Sequence, residues 1–577
     1  MRLKISRSKN AASLYVIKSV YNPKTQSNSS KIVEKLGTES ELREKLNGQD
    51  PFIWAKNYID ELNKKEAEQN RTVLLPLNQS RQIDENSQVL FNGGYLFLQD
   101  LYHKLGLHKI CKKISDKYKF SFDLDSILSR LLYGRILFPS SKLNTLKQSE
   151  LLLEQPNFEL HQIYRALEVI SNESDFIQSE LYKNSLSFSN RNDKILYYDC
   201  TNYFFEIEQE EGLKQYGPSK EHRPNPIVEM GLFMDGDGIP LAFCIHSGNT
   251  NEQVTLKPLE EKILKDFSLA KFVVCTDAGL SSMENRKFNN LGKRAFITTQ
   301  SVKKLKKHLK NWALSSENWK LSGYKNTFDI NKISENEDLY EKYKDCTFHK
   351  ERWINEDDFE QKLIVTFSFK YQNYQRNIRN RQIERAEKLI KSNPKSIKKH
   401  NQNDFKRFVS ATGVTEDGEI AENDIYSINY DLINKEKIYD GFYAVCTNLD
   451  DNAEDIVKIN HRRWEIEESF RIMKTDFKAR PVYLKRDDRI KAHFTTCFLS
   501  LVLYRYLEKM LNEKFTSNEI ITTLRNMNFG SVKDEGYIPV YTRTNLTDAL
   551  HNTFNFHTDY EIVTNKQFKK IFKDTKK

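Results

Sequence analysis

Ile195-Leu196-Tyr197-Tyr198-Asp199 is a short apolar run that closes on a carboxylate, and the segments downstream of it decide the fold. Val228-Glu229-Met230-Gly231-Leu232-Phe233-Met234 and Ile239-Pro240-Leu241-Ala242-Phe243-Cys244-Ile245 flank Asp235-Gly236-Asp237-Gly238. Asp-Gly steps between two apolar runs signal a hairpin, because glycine supplies the positive φ of a tight turn. Asp235 and Asp237 invite a calcium loop, but the further ligands such a loop needs are missing, so turn chemistry accounts for them. Helical spacing over 252–267 leads into Phe272-Val273-Val274-Cys275-Thr276-Asp277-Ala278-Gly279, a second apolar run ending on a carboxylate. A short helix over 283–291 and the strand Ala295-Phe296-Ile297-Thr298-Thr299 close the series. The order is strand, strand, strand, helix, strand, helix, strand, which describes a hairpin-extended sheet that turns parallel.

Far downstream lies Asn460-His461-Arg462-Arg463-Trp464-Glu465-Ile466-Glu467-Glu468-Ser469-Phe470-Arg471-Ile472-Met473-Lys474. On a helical wheel, Ile459, Ile466, Phe470, Met473 and Phe477 share an arc of about 60°, a face made for burial. Asn460, Arg463, Glu467 and Lys474 share the neighbouring arc, while Glu468 lies about 100° further round. Taken alone this is an amphipathic helix with ion pairs one turn apart. Trp464 is read as a packing residue.

The 577-residue chain is 38% apolar, with 35 Phe and 28 Tyr, enough for several cores. Charged residues make up 29% and the net charge is +10, which suits an anionic partner. Twelve Lys/Arg against three Asp/Glu between 370 and 407 concentrate that excess. The run reads as a solvated face or as non-specific phosphate contacts. Seven scattered cysteines without a C-x-x-C pair read as reduced core residues of a cytoplasmic protein. No segment has the length and apolarity of a leader or membrane span.

The chain divides into a small basic β module (1–65), a polar linker (66–87) and an α-helical segment (88–188). The helical segment either docks on DNA or serves packing. Then come the first part of an α/β core (190–300), a segment too long for a loop and read as an insertion domain (301–438), and the second core part (439–510). A C-terminal region (511–577) ends in a basic, mobile tail. Within the second core part, the run at 498–504 is read as a long amphipathic core helix.

Asp199 ends the first strand and Asp277 the fourth. If these strands are parallel neighbours, both carboxylates emerge at one sheet edge, and a helix laid on the sheet can bring Glu467 to them. Three acids without histidine or cysteine form an all-oxygen site of the kind Mg²⁺ takes. A pair of such ions can clamp the attacking and departing oxygens of a phosphoryl transfer.

Tyr197-Tyr198-Asp199-Cys200-Thr201-Asn202, Thr276-Asp277-Ala278-Gly279-Leu280 and Arg463 through Lys474 resemble the three signature blocks of DDE transposases of the IS4 superfamily, IS1634-like members above all. Lys220-Glu221-His222-Arg223-Pro224 and Gly248-Asn249-Thr250-Asn251-Glu252 also resemble family blocks. The resemblance implies an RNase H-like catalytic core with an insertion and Mg²⁺ dependence, Mn²⁺ substituting. It further implies cleavage and strand transfer at the terminal inverted repeats of the element's own double-stranded DNA, by a homodimer. It assigns Asp199, Asp277 and Glu467 to catalysis and metal, and Arg463, Lys474, Asn460, Arg471, Lys220 and Arg223 to DNA. The family's tyrosine position is Asn460 here. A metal-dependent nuclease or resolvase with the same core, and a catalytically impaired DNA-binding protein, are the alternatives.

Overall fold

A computed structural model of the chain describes residues 1–7, 11–22, 27–46, 48–69, 72–73, 79–80, 82–392, 404–414 and 420–577. Parts of the 66–87 linker and of the 370–407 basic run lie outside them. Two units separate, Met1–Ser87 and Gln88–Lys577. The first holds a three-stranded antiparallel sheet, Arg2–Arg7, Ala12–Asn22 and Ser27–Thr38, followed by helices Glu39–Lys45 and Pro51–Gln69. The first helix starts where the Thr38 hydroxyl and the Glu41 carboxylate cap each other's backbone N–H.

The second unit is built on an eight-stranded mixed sheet. In chain order its strands are β1 (Ile195–Phe204), β2 (Ile227–Asp235), β3 (Pro240–Ser247), β4 (Val273–Thr276), β5 (Ala295–Thr299), β6 (Thr347–Glu356), β7 (Phe359–Ser368) and β8 (Phe442–Thr447). They lie side by side as β6-β7-β8-β5-β4-β1-β2-β3. β1, β4 and β5 run parallel, and every other pairing is antiparallel. The expected element order and the turn at Asp235–Gly238 are both present. Asp235 is fully buried, and its carboxylate accepts from the backbone N–H groups of Asp237 and Ile239 and from Arg191 Nε. That is turn chemistry, as the sequence implies.

The apolar runs are unbroken because the sheet is covered on both faces. Leu196, Tyr198 and Cys200 join Leu256, Leu259 and Ile263 of helix α1 (Leu256–Asp266) in one layer. Tyr197 and Tyr203 join the opposite core, with Ile466 and Phe470. After β8 come α2 (Ala453–His461), α3 (Trp464–Arg471) and α4 (Asp487–Met510). α4 is not amphipathic. Most residues from Ile490 to Leu507 are buried, because the sheet lies on one side and the helices of 95–188 on the other. Its Thr495 and Thr496 hydroxyls donate to carbonyls one turn back, which lets them tolerate that burial.

The 301–438 segment contributes β6 and β7 to this same sheet, where β7 pairs with β8. The chain end differs from its sequence expectation. Helix Asn565–Asp574 carries a capping box, and Thr575 is buried against Gln99, so the tail is packed. Strand Leu90–Asn92 completes a four-stranded sheet with the C-terminal strands. All seven cysteines are free, and five of them are buried. Among the described residues no helix is long and apolar enough to cross a membrane.

Candidate active site

Asp199 sits in the middle of β1, not at its end. β1 continues past it because Asn202, Tyr203 and Phe204 still pair with β2. β1 and β4 pair Ile195 with Val273, Leu196 with Val274 and Tyr197 with Cys275. Carrying that register two residues further sets Asp199 level with Asp277, the first residue beyond β4. The two aspartates therefore start from adjacent strands at one height.

Glu467 lies in the first turn of α3. The wheel drawn from the sequence fails locally, because the helix is interrupted between His461 and Trp464. Backbone bonds from Arg462, Arg463, Glu465 and Ile466 reach back three residues instead of four. Each such residue turns about 120° instead of 100°, which re-phases the helix beyond the break. Asn460 consequently faces inward: it is 3% exposed and its amide donates to the Tyr443 hydroxyl at 2.6 Å. Trp464 faces outward, 60% exposed, contrary to its reading as a packing residue. Ile466, Phe470, Met473 and Phe477 are buried, as their spacing requires.

Arg463 links the elements. Its Nη1 donates to Asp277 Oδ1 at 2.8 Å and to Thr299 Oγ1, at the end of β5, at 3.3 Å. Its Nη2 lies 3.6 Å from Glu467 Oε1. One guanidinium thus spans from the fourth strand to the helix. Burial works against ionisation of Asp277, but the charge and hydrogen bond of Arg463 outweigh it and hold the carboxyl below its usual value.

Asp199 has no such partner. Its carboxylate accepts from the Cys200 N–H at 2.8 Å, and among the described residues no ion pair reaches it. Burial pushes its carboxyl up to about 6, with Lys220 only partly offsetting that. Lys220 Nζ donates to the Cys200 carbonyl at 2.6 Å and pairs with Glu252 at 2.7 Å. Lys474 lies in a widened π turn, Ile472–Asp476, and donates to Thr201 Oγ1 at 2.6 Å. Burial, and then the charge of Lys220, lowers the Lys474 amine to about 8. Arg223 stacks over the Phe204 ring at 4.2 Å. Arg471 is tied to Glu468 and Ser517, at the far end of α3.

Two neighbours escape a reading of the sequence. Glu229 is 1% exposed, faces Asn202 across the strands, and is pushed up to about 7 by burial and by Glu252. Its only signal is a charge inside a nine-residue strand otherwise built for burial. Glu465 is buried on the side of α3 opposite Glu467. It pairs with Arg462 at 2.9 Å and Arg505 at 3.1 Å, anchoring the helix under the β2–β3 turn, where Arg505 also donates to the Gly238 carbonyl.

As a donor set, Asp199, Asp277 and Glu467 suit a hard divalent cation, and the uncompensated Asp199 is where added positive charge gains most. Among the described residues their oxygens do not all lie within 4.8 Å of one another. Glu467 is 64% exposed and held by Arg463, so gathering the three requires its side chain to leave that contact.

This mixed sheet, covered by helices on both faces, is a core of the RNase H-like type. The family model described as "Transposase DDE domain" matches residues 205–503, more than half of the chain, and the chain belongs to that family. The match spans Asp277 and Glu467 and begins just after Asp199. Among solved structures the chain is similar to piggyBac transposase in a synaptic complex with hairpin DNA. Identity is 8%, over 83% of this chain and 84% of that chain, with a TM-score of 0.34, too slight a likeness to carry residue correspondences. No curated protein matches the chain.

Proposed function

We propose that this protein is a transposase of the IS4 superfamily, IS1634-like, which cleaves the ends of its own insertion sequence and joins them to target DNA. Asp199, Asp277 and Glu467 are the carboxylates that would hold Mg²⁺, with Mn²⁺ substituting. What supports the reading, beyond family membership, is one observation. Asp199 on β1 and Asp277, just past the end of β4, stand level when the parallel register of the two strands is carried on, and Arg463 reaches from Asp277 to Glu467.

When bound, a divalent pair supplies charge stabilisation to the entering and leaving oxygens of a phosphodiester. The chain's own groups do the rest. Asp199 and Asp277, carried by a rigid sheet, would set where those ions sit relative to the rest of the site. Lys220, Lys474 and Arg463 surround the reacting phosphate with positive charge that draws in a polyanion and orients its non-bridging oxygens. Lys474, its amine lowered to about 8 by burial and then by Lys220, donates to phosphate in this scheme. In this scheme Arg223 and Arg471, on the flanks, contact DNA backbone, and Asn460 acts through Tyr443. The substrate is double-stranded DNA bearing terminal inverted repeats, synapsed by a homodimer.

The test is a strand-transfer assay on the DNA flanking the gene, with Mg²⁺ or Mn²⁺, for wild type, Asp199→Asn and Glu467→Gln. Joined products from wild type alone support the proposal. Nicks without joining make the protein a nuclease or resolvase, and bound but uncut DNA makes it a binding protein.

A further inference from the structure

The C-terminal region carries a second cluster with its own chemistry. Among the described residues, one group of three metal-capable side chains has all its ligand atoms within 4.8 Å: His551, His557 and Asp559. His551 lies in the last turn of helix Asn545–Phe554 and is fully buried. Asn555, at φ 56°, ends that helix in the left-handed region and turns the chain back. The turn lays the His557 ring on the His551 ring, centroids 5.3 Å apart.

The tautomer of His551 is set by its neighbour. Nδ1 lies 2.9 Å from the Phe556 carbonyl, which can only accept, so Nδ1 carries the hydrogen. Nε2 is then left as an acceptor, in reach of the Tyr541 hydroxyl, which donates to it at 3.4 Å, and 3.9 Å from Asp559 Oδ1. A backbone carbonyl that fixes the distal nitrogen of an imidazole is the usual support for a metal ligand. His557 Nδ1 lies 3.0 Å from the same Asp559 oxygen. In a tetrahedral zinc site with bonds near 2.0–2.1 Å, neighbouring ligands stand about 3.3 Å apart. The observed 3.9 and 3.0 Å bracket that value, and the third separation is within 4.8 Å. His557 is 45% exposed, which leaves an entry path and a fourth position for water. Phe97, Phe554 and Phe556 wall the other side.

We infer that His551 Nε2, His557 Nδ1 and Asp559 bind one Zn²⁺. Two imidazoles and a carboxylate favour a borderline ion such as zinc over Mg²⁺, so this site is chemically distinct from the three-acid cluster on the sheet. Bound there, zinc fastens the loop between helix Asn545–Phe554 and strand Val563–Thr564, which edges the four-stranded sheet.

The experiment uses the full chain, stripped with chelator, loaded with Zn²⁺, desalted, and assayed for metal by mass spectrometry alongside thermal melts. Wild type and Asp277→Asn should each retain one zinc and melt higher than their stripped forms. His557→Ala, altered at an exposed position, should melt like stripped wild type and retain none; Asp559→Asn should also lose the metal. Retention by His557→Ala equal to wild type, or a wild type that keeps no zinc, overturns the inference. Because Asp277→Asn disables only the sheet site, failure here and failure of the transposase assignment remain distinguishable.

Discussion

Asp199→Asn should make the metal-free protein more stable while abolishing its chemistry. Unfolded, this carboxyl ionises near 3.8; folded, it does so at about 6, because burial disfavours the charge. The folded chain holds the proton more tightly, so stability falls as pH rises from about 4 to about 6 and stays at the lower level above that. Each pH unit of the gap corresponds to ~1.4 kcal/mol, so the ionised carboxylate lowers stability by about 3 kcal/mol at pH 7.5. Asparagine removes the charge but adds an amide that needs an acceptor, which leaves an expected gain of about 1–3 kcal/mol. With an unfolding entropy of roughly 1 kcal/mol per kelvin for a unit of this size, that is about 1–3 °C in Tm. The assay is thermal unfolding in chelator at pH 7.5 and at pH 4, where the advantage should vanish. Adding Mn²⁺ should then raise the Tm of wild type and not that of the variant, since a ligand stabilises only the state that binds it. A variant no more stable than wild type at pH 7.5, or a difference independent of pH, would refute the reasoning.

Arg463→Gln frees Asp277 and Glu467 from their shared cation. DNA cleavage should fall at least ~10-fold through lost phosphate orientation, whereas the Mn²⁺ concentration giving half-maximal thermal shift should fall. Cleavage rates and melts in parallel check the two directions. Glu465→Ala leaves Arg505 buried with Glu508 as its remaining carboxylate, and should destabilise by about 3 kcal/mol in denaturant unfolding. Lys142 is 7% exposed and is lowered to about 7 by burial and then by Arg135. Its depressed pKa means the folded state prefers the neutral amine, so stability rises as pH climbs from about 7 towards 10.5. Lys142→Met should therefore be more stable than wild type at pH 7, with the margin shrinking by pH 10 in paired melts.

What the sequence determined by itself was whatever depends on neighbours along the chain. Unbroken apolar runs announced strands covered on both faces, the Asp-Gly steps announced the β2–β3 turn, and the spacing of Ile466, Phe470, Met473 and Phe477 announced a buried helical face. That Asp199, Asp277 and Glu467 could form one set followed only on the condition that the first and fourth strands lie side by side, which the sequence did not supply. Tertiary structure alone decided the rest. That Asp199 lies mid-strand depends on Asn202–Phe204 finding β2, a pairing no local signal encodes. That α4 is buried all round depends on helices more than 300 residues away in the chain closing over it. The tightened turn at Arg462–Arg463 has no glycine or proline to betray it. It arises because α2 and α3 each settle their own apolar side on the sheet, and the short link between them absorbs the mismatch. A wheel assumes one helix, whereas packing made two. That is why Asn460 turned in, Trp464 turned out, and Arg463 came to lie between the carboxylates.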